Sequence, residues 1–270
     1  MPTPQPPQAY VLFDGTVGNY VEVPDPATVE FSVDTTGELT VSAWMRPDTL
    51  TFSNTDGTAA DQQYVHWLGK GEGSGPIAQQ EWVFRMYSQS DPAGPRANRI
   101  SFYVFNLAPP EGVSNEGIGS HFQDDVAPGD WMHIVGVADC QRTSIYKNGG
   151  LRRCDQYRGV PSPGSGCHGY APARWIRPRH GAAALRIGHR DGNSSFQGAV
   201  AEVRLWSRAL SSKEVAQLYS AGTVSQDGLV GEYLLDEGSA GGETTAHDTS
   251  GVATGPHDGT VVGTTWSWMA

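Results

Sequence analysis

"SFQGAVAEVRLWSRALSSKEVAQLY", residues 195–219, carries two periods in one stretch. Up to Trp206, apolar and polar residues alternate. Ala201, Val203 and Leu205 face one way and Glu202 and Arg204 the other, the period-2 mark of a half-buried strand. From Ser211 the spacing changes. Ser211 is an N-cap with Glu214 three residues later, a capping box. Val215, Leu218 and Tyr219 form one apolar stripe, and Gly222 stops the helix. One short helix near 211–220 is expected, lying as a lid on the edge of a β structure.

Outward from this stretch, strand-like segments recur: "AYVLFD" (9–14), "ELTVSAWMRP" (38–47), "QYVHWLG" (63–69), "EWVFRMYS" (81–88) and "RISFYVF" (99–105). "WMHIVGVAD" (131–139), "TSIYKNGGLRRC" (143–154), "ALRIG" (184–188) and "LVGEYLL" (229–235) follow. In 38–47, Leu39, Val41, Ala43 and Met45 share one face. Asn148-Gly149-Gly150 is a tight-turn signal between two strands. About a dozen strands need two sheets face to face or a barrel. No long amphipathic helical pattern interrupts them, which excludes a parallel βαβ architecture. The expected fold class is all-β. With no internal repeat and no composition break, residues 9–270 read as one domain behind a Pro-rich tail or linker, 1–8.

The 270 residues include 34 Gly and 18 Pro, and the net charge is −11. That charge repels phosphate backbones, and no basic stripe offsets it, so nucleic acid is excluded as a partner. No apolar run reaches the length of a membrane span. Met1 leads straight into "PTPQPPQ", without the pattern of a signal peptide. Cys140, Cys154 and Cys167 contain no CxxC pair, which argues against structural zinc. Cys154–Cys167 and Cys140–Cys154 are both open as pairings, as is a fully reduced state. A disulfide implies an oxidising compartment.

"YVLFDGTVGNYVEVP" (10–24), "LTVSAWMRP" (39–47), "DWMHIVGVAD" (130–139) with "SIYKNGGL" (144–151), residues 196–219 and "GLVGEYLLDEGSAGGETTAHDTSGVATGPHDGTVVG" (228–263) stand in one order. Together they resemble the laminin-G-like or concanavalin-A-like jelly-roll domains, near the pentraxin-like branch common in bacterial secreted proteins. The resemblance implies a two-sheet antiparallel jelly-roll sandwich and a secreted or cell-surface location. This fold hosts lectins, adhesion modules, enzymes and structural domains, so function has to come from particular residues.

The resemblance also implies a structural calcium ion tying the first strand to the C-terminal segment. Asp14, Asn19, Asp248 and Asp258 occupy the matching segments and supply the oxygen atoms that calcium takes. Equally, they read as Asx-turn residues beside glycines. In pentraxins a calcium loop precedes the F-x-G strand, and the matching loop here is "GHRDGNSS" (188–195). Asp191 and Asn193 keep ligand character, whereas His189 and Arg190 stand where acidic or amide ligands are expected. With Glu72 of "GKGEGSG" (69–75), which also contains Lys70, His189, Arg190 and Asp191 would form a pocket for a sugar or carboxylate. The plain alternative is a polar turn.

Residues 155–183 form a long insertion outside the family pattern, rich in arginine and aromatic residues. Trp175 and Arg177 are its binding candidates, beside Arg158, Arg179 and Tyr157. The alternative is a flap whose arginines pair with the protein's own acids. No E-x-D-x-E strand of retaining glucanases is present, nor a G-x-S-x-G or H-E-x-x-H motif. The expected function is a non-catalytic module that binds carbohydrate, with calcium assisting. A protein-interaction or assembly domain and a polysaccharide-cleaving enzyme are the alternatives. The expected partners are a glycan or a protein, with self-association as in pentraxin-like domains.

Overall fold

The computed structural model describes residues 4–56, 63–71, 79–90, 96–105, 117–158, 163–169, 178–190, 194–221, 223–240 and 243–268. Its strands begin with β1 (Ala9–Asp14), β2 (Tyr20–Val23), β3 (Glu38–Pro47), β4 (Tyr64–Lys70), β5 (Trp82–Tyr87), β6 (Ile100–Phe105), β7 (Gly117–Phe122), β8 (Met132–Asp139) and β9 (Arg142–Lys147). They continue with β10 (Gly150–Gln156), β11 (Leu185–Ile187), β12 (His189–Arg190), β13 (Ser194–Ser195), β14 (Gln197–Trp206), β15 (Leu229–Tyr233), β16 (Thr245–Ala246), β17 (Gly259–Val262) and β18 (Thr265–Trp268). The helices are α1 (Val33–Thr36) and α2 (Ser212–Ala221). The strands beyond the expected dozen are mostly two to four residues long, too short to show a period.

Two antiparallel eight-stranded sheets form a jelly-roll sandwich. The first runs β10-β9-β8-β3-β14-β1-β18, with β15 also on β14; the second runs β16-β17-β2-β11-β4-β5-β6-β7. Leu39, Val41, Ala43 and Met45 all point into the core, as their alternation predicts. Across from them the tilted rings of Trp67, Phe84 and Phe102 pack in sequence, neighbouring centroids 4.8 Å apart. Such pairs add about 0.5–1.5 kcal/mol each beyond burial. Gly136 of β8 faces these rings; a Cβ there would lie 2.5 Å from Phe102, so only glycine lets the sheets approach this closely.

Strict alternation fails at two bulges. In β14 the pairing with β3 slips between Ala201 and Arg204, and Glu202 takes φ +49°. Val200 and Val203 therefore both enter the core, while Ala201 turns to the outer face with Ala199. The expectation that Ala201 shares the face of Val203 is corrected by this bulge. It falls where β14 changes partner along one edge, from β1 at 197–200 to β15 at 203–206. In β4 the register slips between His66 and Leu68, so Trp67 and Leu68 both enter the core.

Helix α2 forms where the capping box places it. Ser211 N–H and Oγ–H donate to Glu214 Oε2, and Glu214 N–H donates back to Ser211 Oγ. Val215 and Leu218 bury against Val135, Val137, Tyr146 and Trp206. The helix thus covers the outer face of the first sheet rather than the sandwich edge. Helix α1 is a single turn capped by Ser32 and closed by Gly37 at φ +82°, too short for a periodic signal. The Asn148–Gly149 turn has φ +52° and +77°, the left-handed pair of a type I′ hairpin. Cys154 is bonded to Cys167, and Cys140 is free.

Candidate functional site

The outer face of the second sheet carries a row of polar side chains across four strands. His66 of β4 pairs with Arg85 of β5, Arg85 with Ser101 of β6, and Ser101 with His121 of β7. Period 2 puts them there, because Val65, Trp67, Phe84, Met86, Ile100, Phe102, Ile118 and Phe122 occupy the core side of the same strands. Tyr64, Tyr103 and Phe105 flank the row. The Arg85 guanidinium carbon lies 4.4 Å, 4.9 Å and 5.3 Å from the centroids of these three rings. Gly119 leaves the space that the Tyr103 ring fills.

The hairpin β12–β13 docks against this row. Gly188, at φ +86° and pressed against Phe13, turns the chain there. Arg190 Nη1 donates to Asp56 Oδ2 (3.0 Å) and to His66 Nε2 (3.1 Å). Arg85 Nε donates to the same His66 Nε2 (3.0 Å). With two guanidinium donors on Nε2, the proton sits on Nδ1, which faces Ser194 Oγ at 2.9 Å. Burial, and then the charges of Arg85 and Arg190, hold the His66 pKa well below the usual histidine range. His66 is a neutral acceptor that fixes the planes of both arginines.

The residues expected to bind a ligand fall as follows. His189 and Arg190 are buried on this face: His189 stacks on Tyr20 and meets Ser195 Oγ, and Arg190 bridges His66 and Asp56. They belong to the same buried network as His66 and Arg85. Glu72, Trp175, Arg177, Asp191 and Asn193 lie outside the described residues. Lys70 is fully buried, with Nζ 2.5 Å from Glu81 Oε1 and 2.9 Å from Asp25 Oδ1, so it is not a ligand contact. His66, Arg85, Ser101 and Tyr103 were missed. The signal was present, since alternation alone puts a histidine and an arginine on the non-core face of neighbouring strands.

The four expected calcium ligands do not converge. Asp14 and Asn19 flank the start of β2, whereas Asp258 precedes β17, whose pairing with β2 (Val262↔Tyr20, Thr260↔Glu22) puts it at the other end. Their oxygens already accept protein donors. Asp14 Oδ1 takes the Thr16 N–H and hydroxyl and the Asn19 amide. Asp248 takes the N–H groups of Glu232, Ser250 and His257, and Asp258 takes that of Asp248. A calcium site needs oxygens converging on one point with no donor between them. These residues do not fit the ion, and no group of His, Cys, Asp and Glu among the described residues does.

The insertion contributes to a hollow at the sandwich end. Arg158 and Arg179 line a cavity of about 460 Å³ with Asp34, Cys140 and Tyr157. Arg179 pairs with Asp34 at 3.5 Å, and Arg158 donates to the Cys140 carbonyl. The described part of the insertion thus pairs with the protein's own groups.

Fold and face together define a jelly-roll β-sandwich with a polar, aromatic-flanked sheet surface. The chain belongs to the concanavalin A-like lectin/glucanases superfamily, whose laminin-G-type family model matches residues 14–216. Among solved structures it is similar to a putative carbohydrate binding protein from Bacteroides ovatus, with a TM-score of 0.60 and 19% identity. That match covers 98% of this chain and 61% of the other, so the chain spans about three fifths of its neighbour. It is also similar to a heptameric SAP-like pentraxin from Limulus polyphemus, with a TM-score of 0.45, 15% identity, and 80% and 84% of the two chains covered. No curated protein matches the sequence.

Proposed function

We propose that this domain is a carbohydrate-binding module that holds a saccharide on the outer face of the second sheet and performs no chemistry on it. The observation that carries the reading is the Arg85 guanidinium framed by Tyr64, Tyr103 and Phe105, with His66 fixing its plane. Aromatic faces pack against sugar rings, and planar polar groups grip their substituents. The similarity to the B. ovatus putative carbohydrate binding protein supports the same reading.

The non-catalytic half rests on two features. The His66 lone pair already accepts from two arginines, which takes it out of use as a base. Glycoside hydrolysis needs two carboxyl groups, and Asp56 is the one carboxylate among the described residues of this cluster. The Cys154–Cys167 bond supports a secreted or surface location.

A glycan array probed with the intact protein tests the reading, followed by titration of the best saccharide into Tyr103→Ala. Binding that this variant loses, at an unchanged melting temperature, supports it. A blank array overturns it and turns the search to protein partners. Because Asp14 is already filled with protein donors, any shift of the thermal midpoint between excess calcium and excess EDTA is expected to persist in Asp14→Ala.

A further inference from the structure

We propose that the saccharide taken on this face is acidic, and that its carboxylate seats on the Nη edge of Arg85. This rests on the carbohydrate reading above and names the class of sugar. Arg85 is only 9% exposed. A guanidinium does not release its proton, so the charge stays inside the face at every working pH. Burying a charge is costly unless an opposite charge meets it.

Nothing described supplies that charge. The Nε–H goes to neutral His66, three aromatic rings surround the carbon, and no described carboxylate lies within ion-pair distance of the guanidinium. Asp56, the near carboxylate, is paired with Arg190. The rings offset part of the desolvation through their negative faces, and among the described residues no anion meets the two Nη groups.

Ser101 adds an independent sign. It pairs directly across from Arg85, and its hydroxyl is buried with no partner. Buried hydroxyls of folded proteins are nearly always bonded, so an orphan here calls for an acceptor. Arg85 lacks a described anion and Ser101 an acceptor, and the two stand opposite each other on one face. The planar two-oxygen fork of a carboxylate matches the free edge of a guanidinium better than a tetrahedral sulfate does.

The test is titration calorimetry on the unmodified protein with oligosaccharides of galacturonate, glucuronate, mannuronate and guluronate. Each is run beside its methyl ester, which keeps the sugar and removes the charge, and a sulfated galactan is run as a third arm. At least one acid is expected to bind about tenfold or more tighter than its ester. Arg85→Gln is expected to abolish that preference, and Arg85→Lys to keep part of it. Equal binding of acid and ester, binding of the sulfated galactan with no uronate bound, or a preference that survives in Arg85→Gln overturns the proposal. If neutral sugars bind and acids do not, this inference falls alone. If no saccharide of any kind binds, the carbohydrate reading falls with it. The acid–ester comparison needs no variant, so misfolding of Arg85→Gln does not blunt it.

Discussion

Two single residues show how polar groups are made tolerable inside this sandwich. Asp248 is 9% exposed and accepts three backbone N–H groups, from Glu232, Ser250 and His257. It stitches β15 to the loop before β17. Hydrogen bonds to a charged group contribute about 1.5–3 kcal/mol each without adding fully, so Asp248→Ala is expected to cost ~2–4 kcal/mol. Urea unfolding measures the loss, which is expected to be the same with and without calcium. His133 lies under α2, with Nε2 2.9 Å from Ser42 Oγ and Nδ1 buried without a partner. Burial, then the Arg204 charge, pushes its pKa down to about 3. Its folded pKa is below its unfolded value, so the stability it confers is complete above pH 6.5. Below that, the unfolded chain alone takes the proton, and stability falls as pH drops. At pH 5 the loss from this one group is ~2 kcal/mol. Accordingly, His133→Gln should show a shallower drop in unfolding free energy between pH 7.5 and pH 5; an unchanged drop would mean that His133 already protonates in the native state.

Helix α2 is the element whose cause is most local. Its cap is closed by Ser211 and Glu214, and Arg208 reaches Glu214 at 2.8 Å. These bonds, the Arg208 one first, pull the Glu214 pKa down to about 2. Ser211→Ala is expected to cost about 1 kcal/mol, with only the part carried by the Glu214 carboxylate gone when Glu214 is already Ala, because the backbone N–H of residue 214 still donates to Ser211 Oγ. A double-mutant cycle in urea reads the coupling; additive losses would show that the two residues act apart. The strands behave otherwise. Their alternation was legible over 38–47, but not across Glu202 or between His66 and Leu68, where one extra residue shifts every later side chain to the other face. No residue type marks either bulge, since the partner strand decides it.

At the scale of the whole molecule, the buried Lys70 joins distant parts of the chain. Its ammonium meets Glu81, Asp25 and the Gly181 carbonyl, while Gly181 N–H and Ser32 Oγ–H donate to Glu81. The ion pair thereby clamps the end of the insertion and the segment before α1 onto the adjoining ends of β4 and β5. Burial raises the Glu81 pKa even with Lys70 beside it. Lys70→Met leaves that carboxylate buried and unpaired, which is expected to cost ~3–5 kcal/mol. The double variant Lys70→Met/Glu81→Leu should recover part of the loss in the same denaturation assay. A double variant less stable than the single one would show that the pair contributes more than the charge it cancels.

The sequence by itself determined the all-β class, the inward faces of 38–47, the helix near 211–220 and the Asn148–Gly149 hairpin. Each depends on neighbours within a few positions, where period, cap or turn chemistry suffices. Tertiary structure alone decided the rest. His66, Arg85 and Ser101 sit 16 or more positions apart, and they meet because three strands align in one register. Arg190 reaches His66 across 124 positions because Gly188 can turn against Phe13. Asp14 and Asp258 look alike in sequence, yet β2 and β17 run antiparallel and carry them to opposite ends. Which of the three cysteines pair was likewise open until the fold brought Cys154 and Cys167 together. A site of this kind is written in strand register, and register is settled by the packing of the whole sandwich.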